Sequence, residues 1–273
     1  MVVSSVLADW QVAMEQQLQA ENPTAVAALA QVVLRHRPRH LATYQRLLQA
    51  IWLLQRWEEG EEWAKRLLRA DPGNAFAWRA VAMAAEQRGQ RAQAQATWQR
   101  AFEAAPYEPT MRAGLSRTTI RSGEGRAGGS STAFVSTEPA VMLNLACLAT
   151  LYRRGQRWEQ AAVAYQTLIQ AEPRRVDFQV GRLVALWQQR ARQTAYRLAR
   201  QLTEQHPHLL MAWVVLHSLG DEFDRALARN PIDMLDPDGD FASSWLGLDD
   251  NSQPVMIEVS PAEATVLQEY LRE

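Results

Sequence analysis

Prolines recur along this chain with a period that few folds can accommodate. Pro38, Pro72, Pro106, Pro139, Pro173 and Pro207 are separated by 34, 34, 33, 34 and 34 residues. Each closes a stretch rich in Ala, Leu, Gln and Arg, where the missing N–H and the ring of proline would stop a helix. Between prolines the apolar residues return at helical spacing. The clearest copy runs from Ala75 to Glu108. There Trp78, Val81 and Ala82 mark one helix, Gly89 breaks it, Ala94, Trp98 and Ala101 mark a second, and Pro106 ends it. A repeated unit of this length is one helix pair. It cannot bury its apolar stripe alone, so its neighbours must complete the core.

The pattern resembles the tetratricopeptide repeat family, a unit of about 34 residues with Trp at position 4, Leu-Gly at 7 and 8, Tyr at 11, Ala at 20, Phe or Tyr at 24, Ala at 27 and Pro at 32. With Pro106 at position 32, Trp78 falls at 4, Ala94 at 20, Trp98 at 24 and Ala101 at 27. The copy Leu41–Asn74 places Tyr44 at 4, Leu47 at 7, Ile51 at 11, Ala64 at 24 and Leu67 at 27, with Gly60 in place of alanine at 20. Leu7–His40 places Trp10 at 4, Val26 at 20, Ala30 at 24 and Val33 at 27. Met142–Arg175 offers Trp158, Ala161, Tyr165 and Leu168 ahead of Pro173, but its Gly155 comes one residue early, which predicts an altered turn. Val176–Leu209 follows with Leu183, Leu186, Ala195, Ala199 and Leu202 in register. A last unit opens with Trp213 and Leu216, and its second helix is expected to be cut short at Pro231. The resemblance implies an all-α, right-handed superhelix of antiparallel helix pairs, with an irregular mid-chain loop and a small C-terminal strand and helix. The expected organisation is three pairs in 1–108, a degenerate repeat in 109–139, further pairs in 140–231 and an acidic tail in 232–273.

Composition removes several function classes. Apolar residues make up 47% and charged residues 22%, the balance of a folded chain. A net charge of −1 offers no general attraction to nucleic acid or anionic lipid. The single cysteine, Cys147, excludes an intrachain disulfide and a cysteine-rich zinc site. The first twenty residues lack a basic segment before an apolar one, so they do not read as a signal peptide. No run approaches the roughly 18 apolar residues of a membrane span. The expectation is a soluble, cytoplasmic protein without a membrane partner. An excess of Arg and Ala over its one lysine, Lys65, is the composition of a GC-rich bacterial genome.

Two segments leave the periodic pattern. Gly123 to Thr132 is too rich in glycine and serine to hold a helix, so a loop is expected at about 123–137. It and the preceding helix carry Arg112, Arg117, Arg121 and Arg126. The tail begins with Asp233, Asp236, Asp238 and Asp240; its Pro-Asp-Gly sequence reads as a turn, since the glycine of a calcium loop is misplaced and Gly247 stands where its glutamate would be. Phe241, Trp245 and Leu248 lie at i, i+4 and i+7, the anchor spacing of a short helix laid into an apolar groove. They form either a docking motif or a cap folded over the last repeat. A strand over Pro254–Val259 and a capping box at Ser260–Glu263 then introduce a terminal helix.

Catalytic signatures are missing. His36 and His40 straddle Pro38, and His206 and His208 flank Pro207, as polar turn residues; Cys147 stands among leucines as a buried thiol. No nucleophile elbow, zinc-protease pair or nucleotide fingerprint occurs. No enzyme, cofactor or metal is expected. The family resemblance implies a working surface on the first helix of each repeat, which carries Gln11, Glu15, Gln45, Gln49, Trp52, Leu53, Phe76, Arg79, Met83, Glu86, Arg153, Arg154, Val184, Trp187 and Gln188. The partner-binding candidates are Gln45, Gln49, Trp52, Phe76, Arg79, Met83, Arg153, Arg154 and Trp187. Their mixture of aromatic, Met, Gln and Arg suits a captured peptide or helix. The lysine/asparagine clamp by which some relatives hold a chaperone's C-terminal carboxylate is absent. The function implied is a non-catalytic protein-binding scaffold. The alternatives are a subunit or assembly factor docking through residues 109–138 and the acidic tail, and, with less support, an RNA-associated helical repeat using the arginines.

Overall fold

The computed structural model describes residues 3–123, 143–246 and 255–272. The helices form adjacent antiparallel pairs, and the described residues divide into two compact units, Met1–Asp71 with Ala191–Glu273, and Pro72–Arg190.

The first unit contains β1 (Val3–Val6), α1 (Leu7–Gln19), α2 (Pro23–His36), α3 (Leu41–Leu53) and α4 (Trp57–Ala70) from the N-terminal part. The second unit contributes α5 (Ala75–Gln87), α6 (Arg91–Ala104), α7 (Pro109–Gly123), α8 (Leu145–Arg154), α9 (Trp158–Ala171) and α10 (Val176–Gln188). The chain then completes the first unit with α11 (Arg192–Gln205), α12 (Leu210–Leu219), α13 (Glu222–Leu235), α14 (Asp240–Leu246), β2 (Met256–Val259) and α15 (Pro261–Arg272).

The prolines have a structural role beyond stopping helices. Trp78 Nε1 donates to the Pro72 carbonyl at 2.8 Å and Trp213 Nε1 to that of Pro207 at 2.9 Å. The Tyr44 hydroxyl and the Gln179 amide make the same link to Pro38 and Pro173. A carbonyl that has left its helix is thus satisfied by the polar tip of a packed side chain six residues on, which ties each unit to the turn before it.

A second device recurs at five intra-repeat turns, though not between α12 and α13. Glu21, Gln55, Gly89, Gln156 and Arg190 all take positive φ, between 55 and 68°. At four of these positions the following N–H reaches back to close the same motif: Asn22 to the Gln17 carbonyl, Arg56 to Ile51, Gln90 to Ala85 and Arg157 to Tyr152. The altered turn expected at Gly155 does not occur. Gly155 keeps an ordinary φ of −79°, and Gln156 takes the left-handed position that Gly89 fills in its own repeat.

Close helix contact comes from glycines. A Cβ on Gly114 would sit 2.4 Å from the Trp98 ring, and one on Gly181 would sit 2.5 Å from Tyr165. Both pairs occupy the same two repeat positions, so α7 packs on α6 as α10 packs on α9. Gly60 likewise lies where a Cβ would be 3.0 Å from Ile51 Cγ2, the close approach its register position implies.

The last repeat differs from expectation. Helix α13 does not stop at Pro231 but runs through it to Leu235. Proline removes the hydrogen bond to the carbonyl of Leu227, a residue that is exposed, so water can satisfy that oxygen and the helix need not end. Helix α7 is continuous from Pro109 to Gly123, and residues 124–137 of the expected loop lie outside the described residues.

The two ends of the first unit are joined. β1 pairs antiparallel with β2, Val3 opposite Val259 and Val6 opposite Met256. Helix α15 packs on α1 and β1, and α14 packs on both α3 and α12. The strand expected near residues 254–259 exists, but its partner is the N-terminal segment, and the tail covers the first repeats as well as the last.

Candidate functional site

The junction of α3 and α14 holds the most developed polar cluster of the first unit. His40, preceding α3, is wholly buried, and Asp238 is 6% exposed. His40 Nε2 lies 3.1 Å from Asp238 Oδ2, while Nδ1 lies 2.8 Å from Thr43 Oγ1. The Gln11 amide donates to that same hydroxyl at 2.9 Å. The network closes when Nε2 carries its proton towards Asp238 and Nδ1 accepts from Thr43. Asp236, also buried, accepts from the Phe241 and Ala242 amides at 3.0 and 2.8 Å, which starts α14.

The two carboxylates respond differently to this setting. Burial pushes Asp236 up to about 6, against the opposing effect of its two backbone donors. Burial acts in the same direction on Asp238, but the hydrogen bond from His40 outweighs it and holds Asp238 below the usual carboxylate range. More of the basic α2–α3 turn meets the C-terminal part of the chain. Arg35 reaches Glu263 at 3.0 Å, His36 the same carboxylate at 3.6 Å, and Arg37 reaches Asp233 at 3.8 Å.

Beside this cluster, α1, α3 and α14 enclose an open groove of about 500 Å³. Gln45 and Gln49, one turn apart on α3, line it with Glu15, Arg46, Asp240 and Phe241. Both glutamines are half-buried, and neither side-chain amide makes a hydrogen bond within the described residues. Arg46 and Glu15 pair across the rim at 3.2 Å. The groove thus presents two free amides, a charged edge and one aromatic wall.

The remaining candidates fall into separate groups. Trp52, in the first unit, is half-buried and packs edge-on against Trp57 at 5.0 Å. In the second unit Phe76, Arg79 and Met83 share one face of α5, with the Arg79 guanidinium 5.0 Å from the Phe76 ring. Burial pushes Arg79 down to about 10, with Glu108 opposing. Arg154 lies over the Tyr107 ring at 3.5 Å; Arg153 and Trp187 are half-buried. Phe241 is 4% exposed, held inside its own chain, so it is not an exposed anchor. Leu248 and the Trp245 side chain lie outside the described residues.

Sequence reasoning singled out Gln45, Gln49, Glu15 and, as a docking or capping residue, Phe241, but missed Arg46, the approach of Asp240 and Phe241 to α3 and the role of His40. No local signal marks the α14 approach or the His40 contact, because they join segments about 200 residues apart; Arg46 pairs with Glu15, 31 residues away. It also missed a buried node in the second unit, where Glu103 accepts from Asn144 at 2.7 Å and from Arg175 at 2.9 Å, and Arg175 also pairs with Asp177. This node ties α6 to the starts of α8 and α10.

Cys147 is buried, and burial pushes its thiol up to about 11, against any nucleophilic role. Among the described residues no cluster of His, Cys, Asp and Glu could hold a metal, and no helix is long and apolar enough to cross a membrane.

No curated protein matches the chain. The tetratricopeptide repeat family model matches residues 19–75 and 148–208. Repeats of this kind generally mediate protein–protein interaction and are typically non-catalytic. With its helix pairs and its recurring left-handed turns in agreement with them, the two matched stretches are tetratricopeptide repeats.

Proposed function

We propose that the chain is a non-catalytic cytoplasmic scaffold that captures a segment of a partner protein on the first helices of its repeats, with the α1–α3–α14 groove as the principal site. The observation that carries this reading is the pair of unbonded amides of Gln45 and Gln49 in a groove of about 500 Å³. Each such amide can both donate to and accept from the backbone of an extended segment, which would otherwise lose its water on entering. Phe76, Arg79, Met83, Arg153, Arg154 and Trp187 supply a second surface in the other unit, where aromatic and arginine side chains are the usual anchors.

The test is comparative affinity capture with the full chain. Gln45→Arg and Gln49→Arg fill the groove with charge without touching the core and should abolish capture of a partner that the wild-type chain retains. Val163→Ser, on an exposed position of α9, should leave capture unchanged. Equal capture by all four proteins would overturn the groove as the site.

The competing reading, in which residues 109–138 and the acidic tail dock onto a larger complex, is less favoured for the tail, because Asp236 and Asp238 are buried and bonded within the chain.

A further inference from the structure

The groove described above already has an occupant on one side. We propose that its α14 side is a recognition site for an acidic turn followed by an aromatic residue, occupied in cis by Asp238–Phe241 and available in trans to a partner segment of the same chemistry that displaces it. The proposal rests on the groove being the binding site and names what binds there.

Three observations carry it. First, the cis segment is held by ligand-like contacts: one carboxylate on His40 at 3.1 Å, and one phenyl ring that is 4% exposed and forms a wall of the groove beside Gln45 and Gln49. Second, the charges are complementary. The α2–α3 turn carries Arg35, His36, Arg37, Arg39 and His40 with no acid among them, and the segment that approaches it carries Asp233, Asp236, Asp238 and Asp240. Third, the segment is built to detach alone. Helix α14 has seven residues, too few to be stable by itself, and it follows Gly239, at φ +75°, in a tight turn. Opening it uncovers His40, Asp238 and Phe241, the groups a partner segment would cover again, whereas α1 and α3 remain packed with α2.

A tethered segment competes at an effective concentration of roughly millimolar, so a free segment of equal chemistry binds only weakly until the tethered one is weakened. The probe is a fluorescent peptide of residues 233–243, titrated by anisotropy into the full-length chain. Asp238→Ala with Phe241→Ala should vacate the site and bind the peptide at least tenfold more tightly than the wild-type chain. Adding His40→Ala or Gln49→Arg should remove that binding. A peptide carrying Asp238→Asn and Phe241→Ala should fail to compete. Equal binding by wild-type and vacated chains would overturn the proposal, as would no binding by a vacated chain of wild-type helicity. Concentration-dependent dimerisation of the wild-type chain through this site would assign it to a second copy and overturn the partner.

Should the vacated chain fold poorly, hydrogen exchange on the unaltered chain decides. Exchange of the Phe241 and Ala242 amides ahead of α3 supports the detachable segment; exchange only with global unfolding overturns it. Loss of capture by the Gln45 and Gln49 variants, together with failed peptide binding, would keep the groove as the site and reject this occupant.

Discussion

His40 Nε2 meets the Asp238 carboxylate at 3.1 Å across 198 residues of chain. The contact joins the turn after the first helix pair to the turn after the last, and both partners are buried. Neither can be removed without leaving the other unsatisfied away from water. His40→Ala should therefore cost about 3 kcal/mol in denaturant unfolding. The double variant with Asp238→Ala should lose less than the two single losses added, because the unpaired carboxylate is gone as well. Strictly additive losses would show that the pair is not coupled.

Asp236 predicts how stability changes with pH. Its carboxyl titrates near 6 when folded, above the value of about 4 in an unfolded chain. The folded state holds this proton more tightly, so the contribution is fully present below about pH 4 and is lost as pH rises through 6. Asp236→Asn keeps one oxygen for the Phe241 and Ala242 amides and removes the titration. Relative to this variant, the wild-type chain should lose stability between pH 4 and pH 7, as read from urea midpoints. A constant difference across that range would contradict the assignment.

The Gly181–Tyr165 contact predicts a size limit. A Cβ at 181 would lie 2.5 Å from the ring, so Gly181→Ala should destabilise by about 1–3 kcal/mol through overpacking. Tyr165→Leu in the same chain should recover part of the loss. Gly114→Ala should behave alike, relieved by shrinking Trp98.

Left-handed turns predict opposite effects at equivalent positions. Gly89→Ala places a Cβ at φ 68° and should cost about 1 kcal/mol. Gln156→Gly relieves the same strain and should be neutral or slightly stabilising in thermal unfolding. If both substitutions destabilise equally, side-chain contacts rather than backbone strain govern the turn.

Cys147 offers a simple probe of the second unit. With its thiol raised to about 11 by burial, it should resist a thiol reagent at pH 8 and react fully once denatured. Rapid reaction of the native chain would mean that α8 opens readily.

The amino-acid sequence by itself determined the helix pairs, their 34-residue register and the residues that face each other within it. Those depend on local periodicity and on proline, and local patterns repeat visibly. Trp78, Tyr165 and Gly60 could each be assigned a packing position before any coordinates. The turn at Gln156 and the passage of α13 through Pro231 could not be read in this way. A residue's tolerance for positive φ, or for a lost hydrogen bond, depends on its surroundings. Tertiary structure alone decided the closure of the first unit, through β1 on β2, His40 on Asp238 and Phe241 beside Gln45. Such pairings join segments about 200 to 250 residues apart, and a period shared by every repeat carries no information about which distant ends will meet.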